Sequence, residues 1–154
     1  MKKRIIFICL LFLCIVSCEK EETEVLDTIP GTTLKESDIN HHKPSKEDFE
    51  QMVLSHQYRE TSCKCLKRSK VYYYTGYLNS ACHLRFQPQN VIKTYKPEGS
   101  EAYVSWSYDE DRATLIMDNC TYPLIHFSED YIIFEKRDKG ISLDYTRTVW
   151  KVID

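Results

Sequence analysis

The chain has 154 residues, with 21 lysines and arginines against 23 aspartates and glutamates, which gives a formal net charge of −2. Nucleic-acid-binding domains carry a concentrated basic surface, so this balance argues against a nucleic-acid partner. Only four glycines are present, and no Gly-x-Ser-x-Gly, His-Glu-x-x-His or Walker pattern occurs. We therefore expect a protein without enzyme activity, catalytic residues, cofactor or metal.

The first residues are typical of a secretory signal peptide. Three cations at positions 2–4 precede an unbroken apolar run at positions 5–16. That run falls short of the roughly 20 apolar residues that a membrane-spanning helix requires. It ends Ile15-Val16-Ser17-Cys18, which resembles the lipobox of bacterial lipoproteins. The resemblance implies removal of residues 1–17, lipid attachment to the sulfur of Cys18, and a membrane partner reached through the acyl chains.

Residues 18–44 are acidic, poor in large apolar side chains and interrupted by prolines. This composition predicts a flexible tether. The first five residues, Cys-Glu-Lys-Glu-Glu at 18–22, resemble the acidic surface-export signal of one group of Gram-negative bacteria. The resemblance favours the cell surface over the periplasmic face of the outer membrane. After cleavage 18 basic and 23 acidic residues remain, a net charge of −5, so the acyl chains rather than electrostatic attraction must hold the protein at anionic lipid.

The next segment, Ser45 to His56, predicts an α-helix. Ser45 follows a proline and is followed three residues later by Asp48, which is the arrangement of a capping box. Apolar side chains then recur with helical spacing and form one stripe. The stripe comprises Phe49, Met52, Val53 and His56.

From Tyr58 onward the hydrophobic period changes to two, which predicts β-strands separated by turns. About nine short strands are expected, at residues 58–67, 70–78, 82–87, 91–95, 102–108, 113–117, 122–127, 131–135 and 143–152. Because no long helical segment lies between them, the sheet should be antiparallel. We predict an all-β domain over residues 45–154: a small antiparallel meander that closes into a barrel, with one short N-terminal α-helix.

Several motifs of this domain resemble those of the small lipocalin-like lipoproteins of Gram-negative bacteria. They are Ser-Lys-Glu-Asp-Phe-Glu-Gln at 45–51, Leu-x-Phe-x-x-x-Asn at 84–90, Trp-x-Tyr at 106–108 and an aromatic-rich last strand at 145–150. The family usually has Gly-x-x-Trp after the helix, where this chain has Ser-His-Gln-Tyr at 55–58. The resemblance implies a helix packed on an eight- or nine-stranded barrel, with Tyr58 closing the barrel end in place of the tryptophan.

Four cysteines follow Cys18 in the mature chain: Cys63, Cys65, Cys82 and Cys120. Outside the inner membrane the compartment permits disulfides. The first two are too close in sequence to pair easily with each other, so two bridges linking them to the last two are favoured, with the pairing left open. Free buried thiols are one alternative. Another is a metal site that adds His83, although structural zinc sites usually space cysteine ligands as Cys-x₂₋₄-Cys.

Two functions fit these features. In the first, the barrel interior or its open end binds a small apolar or glycan ligand, which requires small side chains along the interior of an eight-stranded barrel. In the second, the protein is an interaction lipoprotein, either a hydrolase inhibitor or an accessory subunit of an outer-membrane assembly. The lipocalin-like pattern and the many aromatic residues favour ligand binding.

Overall fold

The computed structural model describes residues 27–68, 71–95, 99–137 and 144–154. The signal peptide, Cys18 and residues 19–26 lie outside these ranges. A short 3₁₀ helix, Glu36–Asp38, is followed by one α-helix, α1 (Lys46–Ser55). The strands are β1 (Gln57–Arg68), β2 (Val71–Phe86), β3 (Asn90–Tyr95), β4 (Ser100–Asp109), β5 (Thr114–Met117), β6 (Cys120–Phe127), β7 (Tyr131–Arg137) and β8 (Tyr145–Val152). In these ranges, no helix combines the length and apolar character needed to cross a membrane.

Each strand pairs antiparallel with the next one in sequence, and β1 also pairs with β8, so that the eight strands close into a ring. We call this ring the barrel. The all-β antiparallel prediction with one short helix is confirmed. The described residues form eight strands rather than nine, because the predicted strands at 70–78 and 82–87 are both part of β2. Cys82 pairs with Glu60 but Tyr77 pairs with Ser62, so four residues of β2 face one residue of β1 in a bulge where the sequence predicts a turn.

Helix α1 begins and packs as its sequence predicts. The Ser45 hydroxyl oxygen accepts a hydrogen bond from the backbone N–H of Asp48 at 3.1 Å, which caps the helix. Phe49 and Val53 are fully buried at one end of the barrel, which we call the helix end. The ring of Phe49 stacks on Tyr108 with centroids 4.1 Å apart. Tyr58 is also fully buried and donates a hydrogen bond to the carbonyl of Met52 at 3.0 Å.

Aromatic rings fill the interior near the helix end. Trp150 is fully buried there, and its ring centroid lies 4.7 Å from Phe134, 5.2 Å from Phe86 and 5.8 Å from Tyr58. Side chains alternate between the two faces of a strand, so Trp150 points inward while its neighbour Val149 packs on the outer face. Large side chains therefore occupy this half of the barrel, which leaves no room for a ligand among them.

Residues 27–44 lie along the outer face of the barrel, and we call them the strap. Ile29 of the strap is fully buried against Tyr131, Ile133 and Val149. The side-chain amide of Asn40 also donates to the carbonyl of Phe127 at 2.8 Å. The prediction of a flexible tether over residues 18–44 is therefore wrong for residues 27–44. One buried isoleucine and specific hydrogen bonds fix a segment whose average composition is that of a tether.

Gly31 of the strap lies close to the barrel and provides a test of this contact. Its φ is +84°, and a Cβ added there would lie 2.5 Å from the hydroxyl oxygen of Thr61. We expect Gly31→Ala to lower the free energy of unfolding by about 2–3 kcal/mol, since left-handed strain and a steric clash add together. Gly99 has a φ of +64° but no heavy atom within 4 Å of its added Cβ, so Gly99→Ala should cost about 1 kcal/mol. Urea unfolding measures the loss of stability in both variants. Equal losses would contradict the close contact of Gly31 with Thr61.

A buried histidine joins the strap to β6. Nδ1 of His126 accepts a hydrogen bond from the backbone N–H of Asn40 at 3.4 Å, and its Nε2 lies 3.1 Å from the hydroxyl oxygen of Ser128. These contacts fit a neutral ring that carries its proton on Nε2. Burial lowers the pKa of His126, against an opposing effect of the nearby Asp38. The folded protein therefore favours the neutral imidazole.

Acidification should lower the free energy of unfolding through the protonation of His126. Because the pKa is lower in the folded than in the unfolded chain, whose value is about 6.5, the unfolded state takes up more protons as the pH falls. His126 therefore contributes stability above about pH 6.5 that is lost as the pH falls below it. We expect His126→Gln to reduce the change in urea midpoint between about pH 7.5 and 5.5. His42→Gln, at an exposed strap position, is the control, and an unchanged pH dependence in His126→Gln would contradict this assignment.

Candidate functional site

A group of polar side chains faces the barrel interior on the side of Trp150 away from α1. We call it the inner polar layer. The indole N–H of Trp150 donates to a carboxylate oxygen of Glu60 at 2.8 Å, and the ammonium of Lys93 lies 3.7 Å from the other oxygen. The Glu60 and Lys93 side chains are only 19% and 12% exposed. The layer consists of Glu60, Ser62, Cys82, Lys93 and Thr148.

The electrostatics of this layer suit hydrogen bonding rather than bond cleavage. Burial raises the pKa of the Cys82 thiol to about 11, and the negative charge of Glu60 acts in the same direction. Burial also raises the pKa of Tyr122, while Lys93 opposes the shift. The thiol and the phenol therefore stay neutral at physiological pH, and a neutral thiol is a poor nucleophile. What the layer offers is one carboxylate, one ammonium and several hydroxyl groups.

A second polar group lies on the outer face of the barrel under the strap, around Arg147. This arginine is 3% exposed, and its guanidinium donates to Glu135 at 3.2 Å, to Glu36 of the strap at 2.5 Å and to the Tyr74 hydroxyl at 2.7 Å. The guanidinium also lies over the ring of Tyr145, 4.7 Å from its centroid. Burial acts against the charge, but the hydrogen bond that Arg147 donates to Glu36 and the other nearby groups raise the pKa of Arg147 above its ordinary value.

Beside Arg147, the strap and the barrel enclose an open groove of about 1060 Å³. The strap forms one wall, and the outer faces of β6, β7 and β8 form the other. The groove combines charged and apolar side chains, so it offers both ionic and apolar contacts to an occupant. Its lining residues are Glu36, Ile39, His41, Thr121, Pro123, Ile125, Glu135, Lys136, Arg137, Tyr145 and Arg147.

The four predicted disulfide cysteines are free in the structure. Cys63 and Cys65 point to the outer face, where they pair across β8 with Arg147 and Tyr145, whereas Cys82 belongs to the interior core. The barrel wall therefore separates the partners that the two predicted bridges need, and Cys120 is exposed on β6. Burial raises the pKa of the Cys63 thiol to about 12, so this thiol is unreactive.

The metal-site alternative for these cysteines has the same obstacle, since Cys82 points inward and Cys63 outward. No cluster of metal-ligating side chains occurs among the described residues. Comparison of the chain with protein-family models, with curated proteins and with solved structures gave no significant match.

Sequence reasoning singled out none of the charged residues at these two sites. Glu60 was detectable, because it lies two residues after Tyr58, which was expected to point into the barrel, and alternation places both on one face. Arg147 lies between Tyr145 and Val149 on one face of the last predicted strand, where a cation is out of pattern. A charged residue on the same strand face as a large aromatic or apolar residue two positions away is the signal in both cases.

Proposed function

We propose that this protein is a non-enzymatic, outer-membrane-anchored lipoprotein whose lipocalin-like barrel binds a small polar ligand in the half of its interior away from α1. The anchor is the lipidated Cys18, and the cell surface is preferred over the periplasmic face because of the acidic residues that follow it. The observation that carries the ligand proposal is the Glu60–Lys93 ion pair on the inside of the barrel wall.

The position of this pair argues for recognition rather than for folding. Removing two charges from water costs about as much as their attraction returns, so an apolar pair would stabilise the barrel at least as well. Binding pockets, in contrast, combine apolar walls with a few oriented polar groups. Trp150 holds the Glu60 carboxylate in place through its indole N–H, which fixes an acceptor for a ligand hydroxyl or amine.

The interior also limits the class of ligand. The helix end is filled by rings, so a long apolar chain cannot extend through the barrel. The inner polar layer offers a carboxylate, an ammonium and the hydroxyls of Ser62 and Thr148, which lie 3.2 Å apart. A small ligand rich in hydroxyl groups, such as a sugar, matches this set of donors and acceptors better than a fatty acid does.

Native mass spectrometry of the full-length lipoprotein, released from its own membranes in detergent, tests both parts of this proposal. We expect the lipid mass on Cys18 and, in addition, a discrete small-molecule mass that is lost on denaturation. The double variant Glu60→Gln/Lys93→Met should lower the bound fraction by about tenfold or more, since it removes both charged partners. Lys151→Met, at an exposed position of β8, should retain the ligand. A lipidated chain without added mass would contradict ligand binding, and an unmodified Cys18 would contradict the anchor.

A further inference from the structure

The barrel wall opens beside the groove. The ladder between β6 and β7 runs from Phe127–Ile132 to Leu124–Phe134, and the rest of β6 pairs only with β5. On its other side, β7 remains paired with β8 as far as Arg137. In the described part of the chain, the edge of β7 over Glu135–Arg137 therefore has no strand partner on the β6 side. Pro123 lies where the two strands separate, and it has no N–H to donate to a ladder.

The groove next to this edge has a surplus of positive charge. Arg137 and Arg147 lie beside the carboxylates of Glu36 and Glu135. Lys136 also lines the groove, although alternation along β7 directs it to the inner side of the opening. The cations of the lining therefore outnumber its anions by one, while the whole chain carries −2. Lys136 and Arg137 are exposed. Charge complementarity thus favours an acidic occupant over a basic one.

The strap already shows how a carboxylate binds in this groove. Glu36 belongs to a segment without barrel pairing of its own, is 52% exposed, and still places a carboxylate oxygen 2.5 Å from the guanidinium of Arg147. Arg147 itself is almost completely buried. A buried, oriented guanidinium that is reached from solvent by a surface carboxylate has the geometry of a carboxylate-recognition site.

We propose that the groove binds an extended acidic segment of a partner protein, which pairs through its backbone with the open edge of β7 and directs a carboxylate to Arg137, or to Arg147 in place of Glu36. An open strand edge offers N–H and C=O groups that only another extended backbone satisfies repeatedly. Ile39, Pro123 and Ile125 provide apolar contacts for the intervening side chains. This peptide site lies on the outer face and is separate from the inner polar layer.

Selection from a random dodecapeptide library, displayed on phage and panned on the purified protein, tests the proposal. We expect enriched sequences with Asp or Glu at alternating positions. An enriched peptide, synthesised and measured by calorimetry, should bind about tenfold more weakly or worse when alternate backbone nitrogens are methylated, because methylation removes the N–H groups of the ladder and keeps the charge. Equal affinity of the methylated peptide, or enrichment of neutral or basic sequences, would overturn the proposal.

Two matched double variants place the site. Lys136→Gln/Arg137→Gln removes two exposed groove cations and should lower the affinity for the selected peptide by about tenfold. Arg112→Gln/Lys151→Gln makes the same charge change at exposed positions outside the groove and should leave the affinity unchanged. Equal losses in both pairs would assign binding to net charge alone. The inner variant Glu60→Gln/Lys93→Met should retain the peptide, which separates this site from the small-ligand proposal.

Discussion

Trp150→Ala is expected to lower the free energy of unfolding by about 3–5 kcal/mol, a large part of the stability of a domain of this size. The indole is fully buried and contacts Phe134, Phe86 and Tyr58, so its removal leaves a cavity that the closed ring of strands cannot collapse to fill. It also removes the N–H that the Glu60 carboxylate accepts. Urea unfolding followed by far-ultraviolet circular dichroism measures the loss.

Trp150→Phe separates these two contributions. A phenyl ring keeps most of the packing but leaves Glu60 with Lys93 as its charged partner, so we expect a cost of about 1–3 kcal/mol from the lost hydrogen bond. Tyr103→Ala, at an exposed aromatic position of β4, should change the stability by less than about 0.5 kcal/mol. If Trp150→Phe were as damaging as Trp150→Ala, the cavity would not be the main cause.

Local sequence patterns were sufficient to predict most of the secondary structure. A capping serine, a stripe at helical spacing and alternating strands separated by turn residues are short-range signals, and they placed α1 and the strands from β3 onward to within a few residues. The break predicted between residues 78 and 82 is a bulge inside β2, because the chain there bends without leaving its partner β1. Sequence alternation stops in the same way at a bulge and at a turn, so only the pairing distinguishes them.

The strap shows the limit of composition as a guide. Residues 27–44 average to an acidic, proline-broken segment, and their order depends on Ile29 and on hydrogen bonds to residues about 90 positions later, such as that from Asn40 to Phe127. A single well-placed apolar side chain is invisible in an average over the segment. The disulfide prediction failed for a related reason, since which face of the barrel wall a cysteine occupies depends on the strand register.

Predicting the two candidate sites would also have required the pairing register of the strands. Glu60 and Lys93 lie 33 positions apart and meet only because both point into the closed ring. Glu135 meets Arg147 because β7 and β8 pair these two residues directly. Period-two alternation predicts that such residues share a face with their strand neighbours, but it cannot select which charged residue of another strand lies opposite.

Arg147→Met should also cost about 3–5 kcal/mol, because it leaves the Glu135 carboxylate, which is 9% exposed, without its buried cation. Arg137 still pairs with Glu135 at 3.0 Å but is itself largely in solvent, so it compensates only in part. The strap loses the contact of Glu36 with the barrel at the same time. We therefore expect both a lower urea midpoint and faster proteolysis within residues 27–44 of the native protein.

The double variant Arg147→Met/Glu135→Met separates two quantities: the net contribution of the ion pair to stability, and the cost of leaving the Glu135 carboxylate buried without its partner. Apolar replacement of a whole buried ion pair is often neutral, so the double variant should recover most of the stability that Arg147→Met loses. Arg112→Met removes an exposed cation and should change stability by less than about 0.5 kcal/mol. Recovery of stability without recovery of peptide binding would show that Arg147 and Glu135 are kept for recognition, since the barrel folds equally well without their charges. No recovery in the double variant would instead make the ion pair itself a determinant of the fold.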